Sequence, residues 1–195
     1  MSTGYRNNLA KQIAEHLVCA ELGGSDVVAT PFSGNVPNYD VFIADDSGRA
    51  LPIQVKASRS TNWQSNARHW MDIELDSQTG VQNYLGLKTL STPDLVYVLV
   101  ALAPPDGTIR DRFFVMTMTD LQDCCVRHYK TDMDKRGWRR PKILLPFTYR
   151  TKPKKSKSSK TTGRLSVGSC NNFAACIVPF ASGSVTAPGT VTLGG

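Results

Sequence analysis

Three side chains of complementary chemistry lie close together in the first third of the sequence: Asp40, Gln54 and Lys56. Side chains two apart in a strand share a face. Gln54 and Lys56 of the run Ile53-Gln54-Val55-Lys56 therefore point one way, while Ile53 and Val55 point into a core. Asp40 stands at the entry of the preceding strand-like run, and a modest choice of register lays its carboxylate beside Gln54 and Lys56. A carboxylate with neutral oxygens suits a hard divalent cation such as Mg2+, which keeps several of its waters. Such an ion acidifies a bound water and offsets charge building on a phosphodiester. A neighbouring lysine can orient or deprotonate that water, or stabilise the phosphorane. The plainer alternatives are a strand lysine snorkelling out of the sheet and an Asp that caps the turn after Asn38.

The elements that must hold these groups are legible around them. From Tyr5 to Leu22, Leu9, Ile13, Leu17, Val18, Ala20 and Leu22 recur mostly three or four apart, the pattern of an amphipathic helix, and Gly23-Gly24 ends it. Val27 to Thr30 is β-prone and stops at Pro31. Tyr39 to Ala44 and Ala50 to Ala57 read as two strands joined by the turn Asp45-Asp46-Ser47-Gly48. Residues 58–93 read as irregular structure with one strand around Met71 to Leu75. After Pro93 the run from Asp94 to Leu102 is apolar and β-branched, as a strand buried on both faces should be. Arg112 to Thr117 reads as another strand, and Asp120 to Lys135 as a helix capped by Thr119, with Leu121 and Val126 inward.

An early helix carrying Ala14-Glu15, a short strand, Asp40 and then Gln54-Val55-Lys56 resembles the PD-(D/E)XK nuclease superfamily, in particular bacterial nuclease-like proteins with IQVK followed by Ser-Arg-x-x-x-Trp, here Ser58, Arg59 and Trp63. The resemblance covers about residues 5–57, and residues 94–142 are compatible with later family elements. It implies a restriction-endonuclease-like α/β core, ordered helix–strand–strand–strand–helix–strand around a mixed sheet. It also implies that Asp40 is the principal ligand of Mg2+ or Mn2+, with Gln54 a second ligand and the Val55 carbonyl completing the set. Lys56 would be the catalytic lysine, and Glu15 would reach the site from the helix. The activity implied is metal-dependent hydrolysis of DNA, with homodimerisation common in the superfamily. Gln54 departs from the acid found in most active members, which lowers the site's negative charge and so its hold on a metal. A non-catalytic nucleic-acid-binding module on the same fold, or a structural interaction protein, are the rival readings.

The remaining candidates are plainer. Arg59 and Trp63 could meet nucleic acid, the tryptophan by stacking on bases, although such a tryptophan also packs well under a loop. Arg136, Arg139, Arg140 and Lys142 form a basic cluster near Trp138 that could grip phosphates, or simply end a helix where cations suit the dipole. Asp45 and Asp46 read as turn formers, and His16 and His69 as surface or satisfied histidines. The five cysteines are odd in number and form no CxxC pair, so no zinc site and no disulfide framework is expected.

Length and composition bound the whole. A chain of 195 residues, 41% hydrophobic and 20% charged, suits one folded domain. The net charge of +7 is unevenly spread: residues 1–150 hold 17 Lys and Arg against all 16 acids. The other six cations lie between Lys152 and Arg164, and residues 165–195 carry no charge. We expect a domain over 1–150 and a basic, then uncharged, low-complexity tail over 151–195, disordered in solution. No apolar run is long enough for a membrane helix and no signal core opens the chain, so a cytoplasmic protein is expected.

Overall fold

Helix α1 (Thr3–Gly23) begins at Ser2, whose side chain accepts from the Tyr5 N–H, and stops at Gly24. In this computed structural model, residues 2–24, 27–32, 38–60, 62–104 and 110–139 are described, with the backbone of 147–150 and 168–169. The helix buries Ala10, Ala14, Val18 and Leu22, spaced four apart, and not the expected Leu9 and Ile13, which remain 38% and 39% exposed. The reason is steric: a stripe that starts with two alanines lets the helix approach the sheet closely. Lys11 and Glu15 each follow one of those alanines, so about 100° of helical turn sets both on the same flank of the stripe.

Strands β1 (Val28–Pro31), β2 (Val41–Ala44) and β3 (Ala50–Ser58) form an antiparallel meander. The β2–β3 turn forms as expected: Asp45 accepts from the backbone N–H groups of Ser47 and Arg49, and Gly48 adopts φ +79°. Asp45 also pairs with the Arg49 side chain at 2.6 Å, so its carboxylate is engaged in the turn. Beyond β3 the chain leaves the sheet through β4 (Asn62–Ser65), a 3-10 turn (Ala67–His69), β5 (Met71–Leu75) and β6 (Gln82–Leu87). It returns as β7 (Val96–Ala101), parallel to β3, and then β8 (Arg112–Thr117), antiparallel to β7.

The central sheet is thus mixed, in the order β1-β2-β3-β7-β8-β10, where β10 (Gly168–Ser169) pairs with β8. Strand β9 (Phe147–Arg150) pairs with β4, and β5 with β6. Helix α2 (Met118–Lys135) follows β8 directly. Its cap is Thr117 rather than Thr119: Asp120 N–H donates to the Thr117 hydroxyl at 3.1 Å, and the Asp120 carboxylate accepts from Thr117 N–H at 3.2 Å. This reciprocal box satisfies two orphan backbone groups, while the Thr119 hydroxyl donates to the Pro93 carbonyl.

Period-two alternation sorts the sheet's side chains onto two cores. Ile53, Val55, Val96, Val98, Val100, Phe113 and Val115 pack with the α1 stripe. Leu99, Ala101, Phe114 and Met116 pack on the other face with α2, Trp63 and Trp70. β7 is buried on both faces, as its unbroken apolar run requires. The expected opening order of helix and three strands is present as α1-β1-β2-β3. The link from β3 to its parallel neighbour β7, however, is built from strands and a 3-10 turn, and α2 comes only after β8. The tail expected over 151–195 falls outside the described residues apart from the β10 backbone. Among the described residues no helix is long and apolar enough to cross a membrane.

Candidate active site

Asp40 owes its position to the turn that precedes it. Asn38 takes the left-handed conformation (φ +72°), which Asn tolerates better than most residues. The chain then enters the hairpin, and Asp40 N–H donates to the Ile53 carbonyl at 2.9 Å. Val41 is registered with Ile53, so Asp40 lies opposite Gln54, one step past the end of the regular ladder. At that frayed end its carboxylate turns to three donors. Oδ2 accepts from the Gln54 amide and from Val55 N–H, the latter at 2.8 Å. Oδ1 pairs with the Lys11 ammonium at 2.9 Å. Asp40 is only 5% exposed and Gln54 8%, and burial at that depth requires such partners.

Lys11 joins a second acid to the group. Its Nζ lies 3.6 Å from Glu15 Oε1, one helical turn away. The Glu15 side chain is 12% exposed and that of Lys11 50%. Burial, then repulsion by Asp40, raises the Glu15 pKa above its ordinary value. Lys56 stands on the same face as Gln54. Desolvation, followed by repulsion from Lys11, lowers its pKa, against the attraction of Asp40. Water still reaches the Lys56 side chain, so the ammonium is eased toward neutrality rather than forced there. Asp40 is the shared influence: its charge acts on Glu15 and on Lys56 alike.

The sequence-predicted residues thus divide in two. Asp40, Gln54 and Glu15 are joined at one end of the hairpin, the last through Lys11, while Lys56 shares the strand face of Gln54 and feels the Asp40 charge. The Val55 carbonyl points to the same strand edge as its N–H, hence toward Asp40, because both groups of one residue leave an extended strand on the same side. Gln54 presents its Nε2 to Asp40, so its Oε1 faces a cation only after the amide rotates. Arg59 lies three residues beyond Lys56, exposed, in a turn tied by Ser58 and Ser60 hydroxyls. Trp63 is 4% exposed and committed edge-on to Phe114, with ring centroids 5.6 Å apart. That packing is the plainer of the two roles expected for it.

Arg136 and Arg139 stand elsewhere. α2 ends in a Schellman motif: Trp138 N–H donates to the Met133 carbonyl and Gly137 N–H to that of Asp134, with Gly137 at φ +59°. Arg136 pairs with Asp132 at 3.0 Å on that exposed end. At 1.5 Å per residue the cluster is about 27 Å along the helix from Met118, which borders the site. Arg140 and Lys142 fall outside the described residues.

Two participants escaped the sequence reading. Lys11 was readable only as the residue four before Glu15. Tyr97 is registered beside Gln54 across the parallel pair, and burial, then the Asp40 charge, pushes its phenol pKa up. Tyr97 and Lys56 line a cleft of about 1100 Å3 between the first turns of α1 and α2 and the β3–β4 connection. Lys56, Arg59 and His69 border it, no acid does among the described residues, and Trp63, Trp70, Met118 and Leu121 form its apolar part. Among the described residues no group of three or more His, Cys, Asp or Glu could hold a metal ion. Any cation here would therefore depend on two carboxylates, an amide and a backbone carbonyl. No family model, curated protein or solved structure matches this chain.

Proposed function

We propose that the chain is a metal-dependent nuclease of the restriction-endonuclease-like kind, hydrolysing DNA phosphodiester bonds. The observation that carries the reading is the meeting of Asp40 with Gln54 and, through Lys11, with Glu15 at one end of the β2–β3 hairpin, with Lys56 on the same strand face as Gln54 and within the field of Asp40. The donor set fits a small hard cation. Two carboxylates of separate elements meet around a single ammonium, which already occupies the place where positive charge is wanted. Asp40, Glu15 and the Val55 carbonyl would hold Mg2+ or Mn2+, with Gln54 joining once its amide turns. A bound cation would there supply charge against the phosphate oxygens and a water of lowered pKa.

The chain's own residues account for the rest. Lys56, with its lowered pKa, can take a proton from the attacking water or donate a hydrogen bond to the phosphate. Arg59 offers a second cation along the cleft for a flanking phosphate. Tyr97, kept protonated by burial and by Asp40, retains a hydroxyl proton to donate, which suits a phosphate oxygen. The acid-free cleft admits a polyanion without repulsion.

The test is a cleavage assay on supercoiled plasmid and on single-stranded DNA with Mg2+, Mn2+ or chelator. Wild type should nick in a metal-dependent way, and Lys56→Ala should lose at least about 100-fold, the usual scale of a proton-transfer group. Undiminished cleavage by Lys56→Ala would place the chemistry elsewhere.

One observation favours a second reading, nucleic-acid binding without cleavage. Lys11 already neutralises Asp40, and Gln54 replaces an acid, so the site is internally balanced without metal. Binding indifferent to chelator, with no cleavage by folded protein, would select it.

A further inference from the structure

The site contains two carboxylates, Asp40 and Glu15, and two ammonium groups, Lys11 and Lys56. Their formal charges cancel. The two lysines are not equivalent. Lys56 springs from the sheet, in the middle of the β3–β7 pairing, and its backbone cannot move without breaking that pair. Lys11 springs from the third turn of α1, with half of its side chain open to solvent. It reaches back to hold Asp40 Oδ1 at 2.9 Å and Glu15 Oε1 at 3.6 Å. An ammonium is a compact charge on a flexible four-carbon stem, so Lys11 can leave without disturbing the helix.

We propose that Lys11 is the resident counter-cation of this site, occupying the carboxylates until a divalent cation displaces it. This rests on the metal-dependent reading above. Three features support the exchange. Asp40 is almost wholly buried, so its carboxylate is costly to leave without a cation, and in metal-free protein Lys11 fills that position. Among the described residues, Lys11 is the one whose ion pairs reach both acids. Exchange of a single for a double charge also changes the balance of the cluster from zero to +1, which favours a phosphodiester entering beside Lys56. The neighbouring helix positions Asn7 and Ala10 line the cleft, so a released Lys11 stays at its border, where a phosphate can receive it.

The inference is tested by direct Mn2+ binding, followed by calorimetry or by the loss of free Mn2+ electron-spin resonance signal, without DNA. Wild type, Lys11→Met, Lys11→Arg and Asp40→Asn are compared. Removing one positive charge a few ångströms from a divalent ion should tighten Mn2+ binding at least about tenfold in Lys11→Met. Lys11→Arg, which keeps the charge, should bind no tighter than wild type, and Asp40→Asn should lose binding. Equal or weaker binding by Lys11→Met, with wild type binding and Asp40→Asn not, would overturn the exchange and leave the metal site standing. Binding that survives Asp40→Asn, or is absent from every protein, would remove the metal reading itself and the exchange with it. Should Lys11→Met fail to fold in chelator, recovery of its unfolding transition on adding Mn2+ is the expected result. No recovery would show that a divalent ion cannot stand in for Lys11.

Discussion

Glu15 is held between opposing influences. Burial and Asp40 favour its protonated form, Lys11 its ionised form, and the first pair prevails. A carboxyl whose folded pKa lies above its unfolded value of about 4.5 contributes stability below that value. The contribution is lost as pH rises through the raised folded pKa. Glu15→Gln should therefore be more stable than wild type at neutral pH, and the difference should vanish below about pH 4.5. Urea unfolding at the two pH values reads this directly, and an unchanged difference between them would contradict it. At this scale the sequence was generous about Asp40, Gln54 and Lys56. A strand's period of two and a hairpin turn are strong constraints, and they suffice to bring those three together. Lys11 was hidden because a lysine on a helix has many places to go. Only the close approach of the Ala10–Ala14 stripe makes Asp40 one of them.

Among the elements, α2 is held at both ends by backbone chemistry rather than by propensity. Thr117 and Asp120 close its first turn, and the Schellman motif at Gly137 closes its last. Thr117→Ala should cost about 1 kcal/mol, the usual value of a lost N-cap, measured by chemical denaturation. Because Met118 and Leu121 of that first turn line the cleft, the variant should also weaken nucleic-acid binding. A stability loss with unchanged binding would separate the cap from the cleft. The helix is visible in the sequence, but the pattern places its start two residues late, because Asp120 looks like the first helical residue when it is the N3 member of the Thr117 capping box. The elements between 58 and 93 were less visible. Trp63 and Trp70 signalled packing without saying against what, and Gln82 to Leu87 lacks the β-branched residues that announce a strand. Its irregular partner β5, with a register shift at Asp72, blurs the alternation further.

For the molecule as a whole, charge is arranged in two distinct regimes. The balance over residues 1–150 is near zero, and the six cations between Lys152 and Arg164 stand without acids. Non-specific attraction to DNA should then come mainly from that short stretch. Replacing those six by Gln in the full chain should flatten the salt dependence of oligonucleotide binding, by up to about 5 in the log–log slope. Fluorescence anisotropy across salt concentrations measures it. An unchanged slope would put the phosphate contacts on the folded domain, at Lys56 and Arg59 first. The division between the two regimes was plain in composition. The architecture of the domain was only partly so, because the parallel pairing of β3 with β7 spans a long excursion that no local pattern predicts.

That excursion divides labour along the chain. The groups proposed to hold the cation and to move the proton lie before residue 58, on α1 and the β2–β3 hairpin, whereas the cleft residues from Asn62 to Trp70 belong to the segment inserted between β3 and β7. β3 and β7 pair with each other directly, so their register does not depend on the length of what loops out between them. Substitutions at its exposed cleft residues can reshape what the cleft accepts while the hairpin side chains stay in place. On the proposed reading, such a fold can vary what its cleft accepts without moving the hairpin that carries Asp40, Gln54 and Lys56.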